Sequence, residues 1–195
     1  KSITCGEGGA IITNLKKHAE AIRSISNNGM TKPAFKRFVN NKYIPWDVNY
    51  YGFKSNLSDI NASILIDQII SYPKTSRIRK DIFRKYKKHL NEIKEISFPL
   101  DNQNSDRDYY LFPIGVNKKY RNKLIEHLLS KKIFVTVNFR SITDLSYYKK
   151  KYKNKNCPMS EKWGKEQISL PFHSKIKDNE IKTVSHEIKE FFGKF

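Results

Sequence analysis

From residue 96 onward, short apolar runs of strand length alternate with segments whose apolar residues recur at helical spacing. The strand candidates are residues 96–98, 109–116, 133–137 and 168–170, because each is a short apolar run bounded by polar or turn residues. This alternation restricts residues 96–195 to a small α/β domain. Two predicted helices carry apolar residues three or four positions apart: Leu124, Ile125, Leu128 and Leu129, then Ile181, Val184, Ile188 and Phe191.

The part of the chain before residue 96 does not show a complete α/β pattern and resembles the edge of a larger domain. Residues 9–13 predict a short buried strand, and Asn14 is placed to cap the helix after it. Ser58 is a second N-cap candidate, for a helix that Pro73 should interrupt because proline lacks the N–H that a helix needs. A long basic helix follows, with apolar residues on one face: Ile78, Ile82, Tyr86, Leu90 and Ile93.

Residues 26–57 form a long segment without a clear period. A segment of this length without its own secondary structure is usually either functional or disordered. Its many aromatic residues argue against disorder: Tyr43, Trp46, Tyr50, Tyr51 and Phe53.

The chain carries 38 Lys and Arg against 19 Asp and Glu in 195 residues, a formal net charge of +19. So basic a balance is compatible with an anionic partner such as nucleic acid or a phosphorylated metabolite. It is also compatible with compositional drift, because basic residues recur along the whole chain and do not form one block. No motif of nucleic-acid readout is present. We therefore favour drift, with a smaller contribution from phosphorylated ligands.

Cysteine and histidine usage excludes two other classes of site. The two cysteines, Cys5 and Cys157, do not predict a disulfide framework, so a reducing cytoplasm is the simplest setting. The five histidines lack the close spacing of a metal site, so no metal is expected. No apolar run is long enough to span a bilayer, so no membrane partner is expected.

The chain opens on the stretch KSITCGEGGAIIT, in which Lys1 precedes a turn rich in glycine. The turn lacks the spacing of a phosphate-binding P-loop. Taken alone, the stretch indicates only a tight turn leading into a strand, because glycine tolerates backbone angles that other residues avoid.

Four stretches together, and in order, resemble the DegT/DnrJ family of nucleotide-sugar aminotransferases. The first resembles the family segment K-x-I-T-T-G-E-G-G, and the last resembles its closing segment L-S-L-P-x-H-P-x-L-x-D-x-E-V. The resemblance extends over essentially the whole chain. The four stretches are KSITCGEGGAIITN (1–14), PWDVNYYGFKSNLSDINASI (45–64), IFVTVNFRSITDLSYY (133–148) and ISLPFHSKIKDNEI (168–181).

This resemblance implies that Lys1 forms a Schiff base with pyridoxal 5′-phosphate and that its amine then moves a proton during catalysis. Lys54 and Asn56 match the K-x-N form of a family loop that reaches the cofactor phosphate from the neighbouring subunit. The match implies a homodimer with shared active sites. An ammonium and an amide suit a phosphate dianion. Without the resemblance, Lys54 is one more solvated lysine and Asn56 a turn residue.

A second family loop faces the sugar substrate, and Asn138, Phe139 and Arg140 lie in it, so the resemblance implies that they contact substrate. Arg140 suits a diphosphate or a donor carboxylate, and the sequence is equally compatible with a surface arginine. Trp46 is either a wall of the active site or a tryptophan packed inside its own loop. Tyr110 stands where the family commonly has a histidine, so the resemblance supports no histidine-based role there.

The fold class implied is α/β, the C-terminal portion of a fold-type I aminotransferase that uses pyridoxal phosphate. Residues 1–72 are expected to be the remainder of the large cofactor-binding domain, residues 73–95 a connecting long helix, and residues 96–195 the small C-terminal α/β domain. Because the family's lysine lies near the middle of its chain, this chain is expected to be a fragment that lacks the N-terminal part.

The activity implied is pyridoxal-phosphate-dependent transamination of a keto sugar linked to a nucleotide diphosphate. The donor is an amino acid, with glutamate favoured, and the setting is amino-sugar or surface-polysaccharide biosynthesis. Two alternatives stand beside this interpretation. One is a basic nucleic-acid-binding domain, and the other is a non-catalytic remnant of the aminotransferase.

Overall fold

The computed structural model divides the chain into two compact units. The N-terminal unit is Ile3–Ile70, and the C-terminal unit is Lys1–Ser2 together with Ser71–Phe195. The structure describes the chain in stretches that cover residues 1–31, 37–99, 107–153 and 156–193.

The N-terminal unit contains helix α1 (Lys16–Ile25) and a short antiparallel hairpin of β1 (Phe38–Val39) with β2 (Lys42–Tyr43). Helix α2 (Asp59–Leu90) begins in this unit and continues into the C-terminal unit. The predicted cap of α2 is confirmed, because the Ser58 hydroxyl accepts a hydrogen bond from a backbone N–H of the first turn at 3.3 Å.

Two predictions for the N-terminal unit are wrong. Residues 9–13 do not form a strand, since no other strand in the described residues pairs with them and an unpaired strand leaves its backbone groups unsatisfied. Asn14 does not cap α1, which starts at Lys16 after Leu15. The Thr13 hydroxyl instead accepts the Leu15 N–H at 3.2 Å.

The predicted interruption at Pro73 is also wrong, because α2 is continuous through it. Proline removes its own N–H from the helical ladder, while the flanking residues keep theirs. The C-terminal half of α2 buries Ile82, Tyr86 and Leu90. Tertiary packing of this kind supplies most helical stability in proteins and can offset one lost bond.

An antiparallel sheet lies at the centre of the C-terminal unit. Its strands β3 (Ile96–Ser97), β4 (Phe112–Val116) and β5 (Gln167–Leu170) are ordered β3-β4-β5. In the register of β4 with β5, Phe112 pairs with Leu170 and Gly115 with Gln167. The predicted strands at 96–98, 109–116 and 168–170 are therefore present with somewhat different ends.

Helices surround this sheet. The strand predicted at residues 133–137 is wrong in part, because these residues join the sheet only through a bridge between Thr136 and Ser169. The helical elements after β4 are α3 (Lys118–Ser130), a 3₁₀ turn (Ile142–Asp144), α4 (Ser146–Lys151), α5 (Pro158–Glu166) and α6 (Asp178–Phe192).

The core of the C-terminal unit forms where α2, α3 and α6 pack on the sheet. Phe112 of β4 stacks on Tyr86 of α2 with ring centroids 4.8 Å apart. The Tyr86 hydroxyl donates to the Pro171 carbonyl at 2.9 Å, and burial raises the pKa of this phenol. All four apolar residues predicted for the last helix are buried: Ile181, Val184, Ile188 and Phe191.

Candidate active site

Lys1 and Ser2 belong to the C-terminal unit although the residues that follow them do not. The Ser2 hydroxyl donates to the Asp108 carboxylate, and Arg79 of α2 donates to the Ser2 carbonyl at 3.2 Å. The Tyr72 hydroxyl donates to the other carboxylate oxygen of Asp108 at 3.2 Å. The hydroxyl and the carbonyl of Ser2, the residue next to Lys1, are therefore both held by side chains that are distant in sequence.

The Lys1 side chain is exposed, and its amine lies over the ring of Tyr110, 4.9 Å from the centroid. This is a cation–π distance. Among the described residues, no carboxylate forms an ion pair with the Lys1 amine. The amine is thus oriented by an aromatic face and remains available for reaction with a carbonyl compound.

The glycine-rich turn after Lys1 lies in the N-terminal unit and packs on the start of α2. Cys5 is buried, and its thiol donates to the Glu7 carbonyl at 3.4 Å. The Asn61 side-chain amide donates to the same carbonyl at 3.1 Å. Glu7 therefore contributes its backbone to the turn, and Cys5 acts as a small packing residue.

Lys54 and Asn56 are exposed on a segment that pairs with the end of α1. Asn27 and Lys54 form an antiparallel bridge, and the Ser55 N–H donates to the Ser26 carbonyl at 2.9 Å. This pairing holds an ammonium and an amide in one short loop before α2.

Close backbone contact fixes the other side of this loop. Gly29 has a φ of +74°, and a Cβ atom there would lie 1.8 Å from the Tyr50 carbonyl oxygen, so only glycine fits. Trp46 is 42% exposed, and the Arg37 guanidinium lies 5.3 Å from its ring centroid. The Trp46 side chain is therefore partly exposed in this unit, with the Arg37 guanidinium near its ring.

Asn138, Phe139 and Arg140 follow the Thr136 bridge in the C-terminal unit. The Thr136 hydroxyl donates to the Asn138 amide oxygen at 2.6 Å, and Arg140 donates to the Asp144 carbonyl at 3.1 Å. Phe139 is 66% exposed. The loop thus presents an amide, an aromatic ring and a guanidinium to the surface.

Helix α5 fixes the position of this loop. A Cβ atom at Gly164 would lie 2.7 Å from the Ser141 backbone nitrogen, so the loop backbone packs directly on the helix. The Glu161 carboxylate accepts from the Cys157 N–H at 3.2 Å and from the Thr143 hydroxyl at 2.8 Å. These two hydrogen bonds, that of Cys157 first, lower the pKa of Glu161.

The predicted residues therefore fall into two groups. Lys1 and the 138–140 loop lie in the C-terminal unit, and Trp46, Lys54 and Asn56 lie in the N-terminal unit. Asp108, Tyr72 and Arg79 carry no sequence signal, because their contacts with Ser2 or with one another appear only in the fold. The described residues contain no cluster of metal-ligating side chains, and none of their helices is long and apolar enough to cross a membrane.

Comparison with known proteins identifies the family. The model of the DegT/DnrJ/EryC1/StrS aminotransferase family matches residues 1–189. An uncharacterized protein of Methanocaldococcus jannaschii is 28% identical over 196 residues, which cover 97% of this chain and 51% of that protein. The chain thus spans about half the length of the curated relative it matches.

Solved structures share the fold over a similar extent. PseC of Helicobacter pylori, an aminotransferase involved in the biosynthesis of pseudoaminic acid, matches with a TM-score of 0.85 and 22% identity, over 100% of this chain and 51% of PseC. The putative sugar aminotransferase Spr1654 of Streptococcus pneumoniae, in its PMP form, matches with a TM-score of 0.79 and 23% identity, over 96% of this chain and 48% of Spr1654.

A third match is the sugar aminotransferase CalS13 of Micromonospora echinospora, with a TM-score of 0.82 and 16% identity, over 97% of this chain and 49% of CalS13. These matches confirm the predicted fold class, an α/β chain that corresponds to part of an aminotransferase fold. With the family model matched over residues 1–189, they lead to one conclusion: the chain belongs to the DegT/DnrJ/EryC1/StrS aminotransferase family, which is a family of enzymes.

Proposed function

We propose that the chain is part of a pyridoxal-phosphate-dependent enzyme that transfers an amino group from an amino acid, glutamate foremost, to a keto sugar linked to a nucleotide diphosphate. The observation that carries this proposal is the Lys1 amine, oriented over Tyr110 and unpaired with any carboxylate among the described residues. It stands at the first position of a chain that the family model matches from residue 1.

The residues present fit this cofactor by the chemistry of their donors. Lys1 offers a primary amine that can attack an aldehyde, and Lys54 and Asn56 offer an ammonium and an amide to a phosphate dianion. When bound, pyridoxal phosphate supplies the electron sink for cleavage of a bond at the amino-acid α-carbon. Lys1 Nζ is then the atom that accepts and returns the α-proton.

The other candidate residues receive roles in substrate binding. Arg140 offers a guanidinium to a diphosphate or to the donor carboxylate. Asn138 can hydrogen-bond to sugar hydroxyls, and Phe139 can pack on a sugar ring or a base. Trp46 forms a wall of the site. The hydrogen bonds that tie this loop to α5 support these roles, because a fixed loop binds its ligand at a lower entropic cost.

The enzyme that we propose is a longer polypeptide that acts as a homodimer with shared active sites in the cytoplasm, in amino-sugar or surface-polysaccharide biosynthesis. In this proposal, residues 1–72 belong to the large domain and residues 96–195 form the small domain. Residues 73–95 are the long helix that connects the two. Support comes from the relatives, of which this chain spans about half. The mostly exposed apolar side chains of the N-terminal unit also support it.

The test uses the complete polypeptide that contains this chain, incubated with pyridoxal phosphate. We expect a visible absorbance band and, with glutamate and a nucleotide-linked keto sugar, release of 2-oxoglutarate. Lys1→Ala should abolish both, and Lys17→Ala, a change of an exposed lysine on α1, should abolish neither.

Other outcomes would favour the alternatives. A folded wild-type protein without band or turnover would support a non-catalytic remnant. A complex that discriminates between DNA sequences at physiological salt would support nucleic-acid binding, because a charge of +19 alone predicts only salt-sensitive, non-selective binding.

A further inference from the structure

The contacts of Ser2 concern the lysine beside it. Ser2 is held through its hydroxyl by Asp108 and through its carbonyl by Arg79. These contacts join residues 106 and 77 positions apart in sequence. The backbone that carries the Lys1 side chain is therefore fixed by the fold and not by its local sequence.

Asp108 is itself oriented. One carboxylate oxygen accepts the Ser2 hydroxyl, and the other accepts the Tyr72 hydroxyl at 3.2 Å. Hydrogen bonds to an ionised carboxylate are stronger than those between neutral groups. With both oxygens engaged, the carboxylate cannot rotate away from Ser2 without breaking a second bond.

At the far end of the Lys1 side chain, the amine lies over the ring of Tyr110, two residues after Asp108. Asp108 and Tyr110 thus act at the two ends of the same lysine, Asp108 through the hydroxyl of the neighbouring Ser2 and Tyr110 at the amine. Reactions of an amine with a carbonyl depend steeply on position, and a misplacement of about 1 Å can cost about a hundredfold in rate.

We propose that Asp108 is a positioning residue for Lys1, acting through the Ser2 hydroxyl, and that Tyr110 completes the seat of the amine. This proposal rests on the proposed function, because it assigns Asp108 to the attachment of the cofactor. Asp108 touches neither substrate nor cofactor in this account. Its effect is to keep the lysine amine where a carbonyl can be attacked.

The experiment measures the reactivity of Lys1 in the complete polypeptide freed of cofactor. Pyridoxal phosphate is added, the adduct is trapped with borohydride after increasing times, and the modified peptide is quantified by mass spectrometry. The variants are Asp108→Ala, Asp108→Asn, Ser2→Ala and the double variant Ser2→Ala with Asp108→Ala. Glu126→Ala is the matched control, because the Glu126 side chain is exposed on α3 and forms no hydrogen bond or ion pair in the described residues.

We expect Asp108→Ala to slow modification of Lys1 about tenfold. Asp108→Asn should restore most of the rate, because its amide oxygen still accepts from Ser2. The double variant should be no slower than Asp108→Ala alone, since both changes remove one interaction. Glu126→Ala should react at the wild-type rate, and melting temperatures measured in parallel should change little, because Asp108 is exposed.

Three results would overturn the proposal. Asp108→Ala could react at the wild-type rate, its effect could add fully to that of Ser2→Ala, or the slowing could follow a loss of folded protein in the melting curves. If the wild type is modified on another lysine, the proposed function fails together with this inference. If the wild type is modified on Lys1 and Asp108→Ala matches it, only the positioning role fails.

Discussion

The two units of the chain differ in how they treat their apolar residues. In the C-terminal unit the sheet and three helices enclose a continuous core that includes Tyr86, Phe112 and Ile188. Among the described residues of the N-terminal unit, Cys5 is the only buried hydrophobic residue. Other apolar side chains there are exposed, such as Ile12 at 93%. One unit carries its own core and the other does not.

The candidate site draws on both units. Apolar surface left exposed on this scale marks an interaction surface, and we infer that the N-terminal unit is completed by further parts of the enzyme or by a second subunit. Lys54 and Asn56 lie in that unit, whereas Lys1 and the 138–140 loop lie in the unit with its own core. Lys54 and Asn56, which we propose as ligands of the cofactor phosphate, are therefore expected to be the part of the site that depends on assembly.

The largest expected effect is a difference in the stability cost of truncating an isoleucine in each unit. Ile114 of β4 is 0% exposed and Ile60 of α2 is 76% exposed. In the 195-residue chain, Ile114→Ala should cost about 3 kcal/mol of the free energy of unfolding because it leaves a cavity, and Ile60→Ala less than about 0.5 kcal/mol. Urea unfolding monitored by circular dichroism measures both.

The same two variants, Ile114→Ala and Ile60→Ala, can be measured in the complete polypeptide. There Ile60→Ala should become costly, by about 2 kcal/mol, if another surface covers it. Equal costs for the two variants in the 195-residue chain would contradict the contrast between units. A cost for Ile60→Ala that stays near zero in the complete polypeptide would contradict its burial on assembly.

The next effect concerns the shared site. One subunit type carries Lys1→Ala, and the other carries Lys54→Ala with Asn56→Ala. If the Lys54 loop serves the partner's lysine, a mixed dimer holds both defects in one site and leaves the other intact. Random mixing then restores about a quarter of wild-type activity, because about half of the dimers are mixed.

Each variant alone should be close to inactive, and native mass spectrometry counts the mixed dimers. If mixed dimers form and activity stays absent, the loop serves its own subunit. The N-terminal unit would then depend on assembly for stability but not for catalysis.

The smallest effect tests the fixed loop of the C-terminal unit. Because the pKa of Glu161 is lowered on folding from its ordinary value of 4.5, its carboxylate stabilises the folded state above that pH, and the stabilisation is lost as the pH falls through the lower folded value. Glu161→Gln should therefore be less stable than wild type near neutral pH, with the difference shrinking in acid.

Thermal unfolding midpoints of wild type and Glu161→Gln, followed from about pH 7 to about pH 3, measure this difference. Glu126→Gln serves as the charge-matched control, because it removes an exposed carboxylate that forms no hydrogen bond or ion pair in the described residues. A difference between wild type and Glu161→Gln that stays constant across the range would mean that the hydrogen bonds from Cys157 and Thr143 do not favour the ionised carboxylate.

The sequence predicted best where burial follows a simple period. The four apolar residues of α6 are buried at helical spacing, and β4 and β5 lie where apolar runs predicted them. It failed where tertiary packing overrides local preference, as at Pro73 inside α2. It failed again at residues 9–13, where an apolar run has no strand to pair with in the described residues.

Candidate site residues could be predicted where they lie in short sequence motifs, and not where they depend on contacts between distant parts of the chain. Lys1, Lys54 and Asn56 lie in short stretches that resemble a family and were named from the sequence, and their roles stay predictions. Asp108, Tyr72 and Arg79 act through contacts between distant parts of the chain, which carry no local signature. The role of Gly164 was equally hidden, because the need for a missing Cβ appears only when the loop lies against α5.

The most direct test of the account is to locate the covalent attachment of pyridoxal phosphate. The complete polypeptide is loaded with the cofactor, reduced with borohydride and digested, and the phosphopyridoxyl group is mapped by tandem mass spectrometry. We predict that the group is on Lys1, and that Lys1→Ala leaves no modified peptide at near-stoichiometric yield. Stoichiometric modification of another lysine, or none in a folded dimer, would contradict the account.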